Sequence, residues 1–357
     1  MLRIAGPTCY GGGSKNEMMA LSATGICRIV RRDVATRLAP LALAALLALT
    51  GNARAEGTGR IFVSNEKGDG LSVLNAKDYS FVADVKTPHR PRGMMFSPDH
   101  KRLYVACGGS NLIAVLDVAS LKIIDRIPDI PDPETFDLDA SGTHLYISNE
   151  DDAELTVLDL ATKQVVGRYK VGLEPEGVLL NHDGSVVYVA AEGSNLVHAI
   201  ALPSDKRTDI PTGTRPRRFA LTPDGKHLWV STELAAQVDV IDTATNRVTD
   251  KIDFLPPGMR KEDVSPVGLV IDRAGKTAYV TLGRADNVAV VDVASHKVET
   301  YLLVGRRPWG ITFDRDQKRL FVANGGSDDI SIIDVAARKV LKSVPVGHYP
   351  YGVAIDE

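Results

Sequence analysis

Residues 308–349 read PWGITFDRDQKRLFVANGGSDDISIIDVAARKVLKSVPVGHY, and this stretch decides the fold. A proline opens the short apolar segment GITF. An Asp-rich turn leads into the aromatic segment RLFVAN, a Gly-Gly-Ser loop into the alternating segment ISIID, and Asp-Val-Ala-Ala into a last run, KVLKSV. Apolar residues at alternate positions, as in ISIID, have the period of a half-buried strand and not that of a helix. The Asp, Gly and Ser residues between the runs supply the backbone geometries that tight turns require. One unit therefore holds four short strands.

Working outward, the same order recurs along the chain. Residues 91–127 read PRGMMFSPDHKRLYVACGGSNLIAVLDVASLKIIDRI, and SGTHLYISN, DGSVVYVAA, DGKHLWVST and AGKTAYVTL fill one equivalent place in the units between. The opening prolines are Pro91, Pro133, Pro175, Pro216, Pro266, Pro308 and Pro350, spaced 42, 42, 41, 50, 42 and 42 residues apart. A period near 42 carrying four strands is the signature of a β-propeller blade. Six complete units lie between Pro91 and Pro350. Residues 60–86 supply the second to fourth strands of another unit, and residues 350–356 (PYGVAID) supply a first strand alone. Joined, they make a seventh blade, with Val353 expected beside Phe62. The expected fold is all-β: a seven-bladed propeller of four-stranded blades, closed where the N-terminal strands pair with the C-terminal one. Closure removes the open edges that invite aggregation.

The segments LYVACGGSNLIAVLDV, AYVTLGRADNVAVVDV and LFVANGGSDDISIIDV resemble the YVTN repeat. In that repeat a Tyr-Val-Thr-Asn-like strand precedes a Gly-Ser-Asn loop and a Val-x-Val-Ile-Asp strand. The whole arrangement further resembles the β-propeller family associated with pyrroloquinoline-quinone-dependent catabolism. That resemblance implies a non-catalytic binding or scaffolding propeller, accessory to quinoprotein alcohol oxidation or an associated transport system. A periplasmic quinoprotein dehydrogenase or a transporter component would be its partner, and no cofactor of its own is implied.

The first 55 residues read as an export signal. Arg28, Arg31, Arg32 and Arg37 precede the apolar run LAPLALAALLAL (38–49), and Ala53-Arg54-Ala55 sets small residues ahead of a cleavage point before Glu56. The expected division is a Sec-type signal peptide over 1–55 and a single propeller over 56–357, exported to the periplasm. Removing 1–55 takes away seven Lys/Arg and two Asp/Glu, leaving 35 basic against 43 acidic residues, a net of −8. An acidic chain without a basic block is a poor partner for nucleic acid or an anionic membrane. Cys107 remains as the only cysteine after position 27, so no internal disulfide is available to the propeller.

The residue after each opening proline is the place where the repeat stops repeating. There the units carry Arg92, Glu134, Glu176, Arg217, Val267, Trp309 and Tyr351, a ring expected at the mouth of the central channel. Arginines can hold a carboxylate or phosphate by paired hydrogen bonds, and Trp309 and Tyr351 can stack on a planar ligand. Against this, Arg92 with Glu134 and Glu176 with Arg217 can simply neutralise one another, and that is the default expectation. A second outlier is the insertion within 253–266, where Pro256, Pro257, Gly258, Met259 and Arg260 make a candidate lid, or a tolerated surface loop.

No nucleophile elbow, zinc-protease motif or phosphate-cradling loop occurs, and no metal site is expected from the scattered His89 and His348. Cys107, behind an apolar strand, is expected packed and not reactive. Asp117, Asp159, Asp242, Asp292 and Asp334 share one place before a turn, which argues for turn hydrogen bonding. Three functional classes follow: a binding or scaffolding propeller, a lactonase-like hydrolase using Arg92, Glu134 and Glu176 at the channel mouth, and an electron-transfer partner whose redox centre belongs to another protein.

Overall fold

The computed structural model describes residues 57–357; the expected export signal, residues 1–55, lies outside them. The described residues form 28 strands in seven four-stranded antiparallel sheets. Each of the six internal units makes one sheet in sequence order, with its proline-led strand innermost. Five short 3-10 turns are the only helical segments among the described residues, and none is long or apolar enough to cross a membrane.

The seventh sheet joins the two ends of the described chain, in the order Pro350–Asp356, Arg60–Asn65, Gly70–Asn75 and Phe81–Lys86. The first two strands run antiparallel with Arg60 opposite Asp356 and Val63 opposite Val353. Phe62 faces Ala354, so the pairing is one residue along from the expected one and the strands are those expected. Side chains lock the seam. Asp356, buried, accepts hydrogen bonds from the Thr58 amide and hydroxyl at 2.7 Å and faces His100 Nδ1 at 2.9 Å. Burial pushes its carboxyl up, but the Thr58 and His100 hydrogen bonds more than offset this and hold it below the usual range.

Seven apolar clusters form the core, one in each interface between neighbouring blades. Strand alternation explains the arrangement. In the seventh blade Ile61 and Val63 point to the sixth blade, while Phe62 points to the first. The alternating third strands were expected to be half-buried. Segments such as LTVLD (155–159) and VAVVD (288–292) are instead buried on both faces, because every sheet packs between two others. Each fully buried Val, Leu or Phe contributes about 1.5–3 kcal/mol. Only the outermost strands keep one wet face; Phe81, Ile124, Val166, Leu303 and Leu341 lie exposed there.

The recurring aspartates behave as expected. Asp117, Asp159, Asp242 and Asp292 each accept the amide and hydroxyl of the Ser or Thr three residues on, and Asp334 accepts the Ala337 amide.

Deleting residues 350–357 is expected to open the ring, leaving Arg60–Asn65 as an unpaired edge. Losing that ladder, worth several kcal/mol, should lower the Tm by on the order of 10 °C, at about 2–4 °C per kcal/mol, and drive self-association. Thermal circular dichroism and gel filtration measure both; an unchanged melting curve from a monomer would refute closure by this strand.

Candidate functional site

The seven inner strands bring the residue after each opening proline to one end of the central channel. Hydroxyls on the preceding blade pin these positions by their backbone. Ser64 Oγ donates to the Arg92 carbonyl, Ser148 Oγ to that of Glu176 and Thr281 Oγ1 to that of Trp309, each at 2.8 Å. The next residue is glycine in five blades. At Gly177 and Gly268 an added Cβ would fall on the carbonyl oxygens of Arg217 and Trp309, so only glycine lets the inner strands approach this closely.

Position along the repeat also decides what hangs over the ring. The residue before each proline is Arg90, Asp132, Glu174, Arg215, Ser265, Arg307 or Tyr349, and all except Ser265 have positive φ, between 32° and 64°. Left-handed backbone costs a non-glycine residue about 1–2 kcal/mol, and six blades carry it. The residue ending each second strand's run is followed by Glu66, Glu150, Glu192 and Glu233 in four blades. These side chains meet those of the ring.

The outcome is a lattice of guanidinium and carboxylate in two groups, one around Arg90 and Arg92 and one around Arg215, Arg217 and Arg218. Arg92 contacts Glu134 directly and reaches Glu66 at 2.9 Å. Arg217 contacts Glu176 directly, Glu233 at 2.8 Å and Glu192 at 3.0 Å. Arg215 binds Glu192 at 2.6 Å, and Arg90 binds Asp132 at 3.1 Å. Trp309 and Tyr351 stack with ring centres 5.9 Å apart, and the Arg217 and Arg307 guanidiniums lie 5.2 and 5.0 Å from the Trp309 ring centre. Over this lattice sits a cavity of about 280 Å³ lined by Arg92, Glu176, Glu192, Arg217, Trp309 and Tyr351 among others. The ring was expected to be solvent-reachable. Glu134, Glu176, Arg217, Trp309 and Tyr351 are in fact buried, because each fills space against its neighbours' partners.

Burial and charge set the protonation of the carboxyls in opposite directions. Glu176 is pushed up by burial, but Arg217, Arg218 and Arg92 more than offset that and hold it well below the usual range. Glu192 is pushed up to about 7, first by burial and then by the Glu176 charge, against the pull of Arg217 and Arg215. Glu150 is raised for the same two reasons. Burial depresses the Arg217 guanidinium, but Glu176, Glu233 and Glu192 outweigh it and keep the cation charged. A carboxyl near neutrality between arginines is equipped to exchange a proton at physiological pH.

The other expectations separate cleanly. Pro256, Pro257, Gly258, Met259 and Arg260 do not line the cavity. Met259 packs on the apolar cluster between the fourth and fifth blades, and Arg260 is paired with Asp263 at 2.7 Å and Glu262 at 3.1 Å within its own loop. His89 and His348 are exposed beside Asp69 and Asp328. Cys107 is buried, and burial pushes its thiol up to about 12, which leaves it unreactive. Asp132, Glu134 and Glu150 have ligand atoms within 4.8 Å of one another, but Arg90 and Arg92 already occupy the place of a cation there. Sequence reading missed Glu66, Glu150, Glu192 and Glu233, although glutamate at one equivalent place in four units was a visible signal. It also missed Arg218, the only charged residue at its place in the repeat.

A family model described as YNCE-like beta-propeller matches residues 60–315. No curated protein matches the chain. Among solved structures, the periplasmic gluconolactonase PpgL of Pseudomonas aeruginosa has a TM-score of 0.71 at 20% identity, covering 84% of this chain and 99% of its own. Kuenenia stuttgartiensis hydrazine synthase has 0.65 at 22%, covering 73% and 88%. A putative 6-phosphogluconolactonase of Bacteroides fragilis has 0.70 at 16%, covering 84% and 99%. At these identities the likeness is one of fold.

Glu192 is expected to titrate near pH 7 by carboxyl-selective carbon NMR, and Glu176→Gln should move it toward the ordinary glutamate range. The linked stability has a definite sign. Between about pH 4.5 and 7 the unfolded chain has released the proton that folded Glu192 still holds, so this contribution falls as pH rises through that window. A Glu192 titration unmoved by Glu176→Gln would remove the coupling.

Proposed function

The chain belongs to the YNCE-like β-propeller family, and we propose that it is an exported, ligand-binding propeller whose channel mouth receives a small anion. The lattice carries this reading: half-buried Arg92 and buried Arg217 face a cavity of about 280 Å³ that the stacked Trp309 and Tyr351 also line. A compact ring or chain bearing a carboxylate or phosphate, such as a sugar acid, fits that combination of stacking faces and fixed charges. The cellular role in this proposal is accessory, serving a periplasmic quinoprotein-dependent oxidation or its transport system. Its support is the resemblance of the repeat and of the signal-like N-terminus to that group of propellers.

A second reading, lactone hydrolysis, is favoured by one observation: Glu192 is held near neutrality beside Arg217 and Arg215. Ionised Glu192 would take a proton from water as its oxygen bonds to the lactone carbonyl carbon. Arg217 would stabilise the oxyanion, and collapse would break the ring ester bond, its alkoxide oxygen receiving the proton back from Glu192. A solved gluconolactonase and proteins described as putative 6-phosphogluconolactonases share this fold.

Calorimetry with gluconate and 6-phosphogluconate tests the binding reading. Replacing Arg92 and Arg217 by alanine, with Glu134→Gln and Glu176→Gln so that no buried carboxylate is stranded, should weaken binding at least tenfold. Undiminished binding in that protein, or none to the wild type, would overturn it. A pH-stat assay on glucono-δ-lactone decides the second reading. Turnover above the spontaneous rate, with an alkaline-rising limb near pH 7 that Glu192→Gln removes, is expected if the mouth is catalytic; no acceleration leaves the site a binding site alone.

A further inference from the structure

Directly inside the mouth, the third residue of each inner strand forms a second ring: Gly93, Thr135, Gly177, Arg218, Gly268, Gly310 and Gly352. Six of the seven are small, and one carries the longest cationic side chain available. Arg218 crosses the channel. Its Nη2 contacts the Tyr351 hydroxyl on the seventh blade, while Nη1 donates to Glu176 Oε2 at 3.0 Å and to Thr135 Oγ1 at 3.3 Å. Those three contacts leave two of its five N–H groups, on Nε and Nη2, with no partner among the described residues.

At this bar the channel holds a further cavity of about 190 Å³, which shares Arg92, Trp309 and Tyr351 with the cavity at the mouth. Arg92, Arg218 and Thr135 provide its polar side, and Phe219, Leu269, Ile311 and Val353 its apolar walls. A buried apolar cavity of ~150 Å³ accommodates benzene, so this one takes a ligand slightly larger. Charge favours an anion. The cavity is lined by two guanidiniums, Arg92 and Arg218, and by no carboxylate. Glu66, Glu150, Glu192 and Glu233 lie against Arg90, Arg92, Arg215 or Arg217, and Arg218 has only Glu176.

We infer that the chamber is a second binding site, which takes a short carboxylate with an apolar tail, its head on the free edge of the Arg218 guanidinium. A carboxylate there completes the hydrogen bonding of Arg218, and its tail covers the apolar walls from water. Arg92, Trp309 and Tyr351 line both cavities, so the two readings are told apart by Arg218, which lines this cavity and not the mouth, and by the ligand class.

Calorimetry on the propeller with benzoate and hexanoate tests it, with hexylammonium and hexan-1-ol as charge-reversed and neutral controls. Both anions should bind, hexylammonium should not, and Arg218→Gly, which restores the residue of the other blades, should weaken hexanoate at least tenfold. Arg218→Gln, which keeps the chamber filled and removes only the charge, should show the same loss and covers the case in which the glycine variant fails to fold. Hexanoate binding that survives both substitutions, or is matched by hexan-1-ol, would overturn the assignment, as would no binding of either anion to the wild type.

Discussion

The ladder between Arg60–Asn65 and Pro350–Asp356 is the interaction on which the rest of the structure depends. Each blade buries both faces only because it has a neighbour on either side, and seven apolar clusters fill seven interfaces. A ring with one seam open would expose two of these faces and a strand edge at once. The seam is therefore fastened twice, by backbone pairing and by Asp356 with Thr58 and His100.

Closure also dictates the chemistry at the axis. Seven inner strands converge in a space so narrow that glycine is needed where carbonyls of the next blade intrude. Side chains that do occupy the axis cannot avoid one another, and burial there makes an unpaired charge costly. Glutamates and arginines accordingly interlock, and hydroxyls such as Ser64 and Ser148 hold their backbones in place from the blade behind. Within that lattice the groups are not equivalent. Glu176, surrounded by three arginines, stays ionised, whereas Glu192, at its edge, answers to the Glu176 charge and is held near neutrality. Rigid positioning and uneven charge are what a recognition site requires.

Much of the site was legible residue by residue. Arg92, Glu134, Glu176, Arg217, Trp309 and Tyr351 stood out as the one place where seven equivalent positions differ; all but Glu134 line one cavity, and Glu134 contacts Arg92. The pairs Arg92–Glu134 and Glu176–Arg217 lie in neighbouring blades and contact as adjacency demanded. The insertion over 253–266 read as a possible cover because it breaks the period, but its packing is a matter of Met259 finding an apolar seat between two blades, which spacing does not encode. Glu192 and Arg218 escaped notice because their significance lies in what they face.

The sequence by itself determined the strand order, the blade number and the ring that follows the opening prolines, because hairpins, turns and repeat period are local properties written in consecutive residues. Only the tertiary structure decided which charges meet across the channel and which carboxyl keeps its proton. Arg218 reaches Tyr351, 133 residues away in the chain, because ring closure sets the inner strands of the fourth and seventh blades around one narrow channel. Glu192 is shifted because burial and the field of Glu176 act through space, and neither exists until the ring has closed.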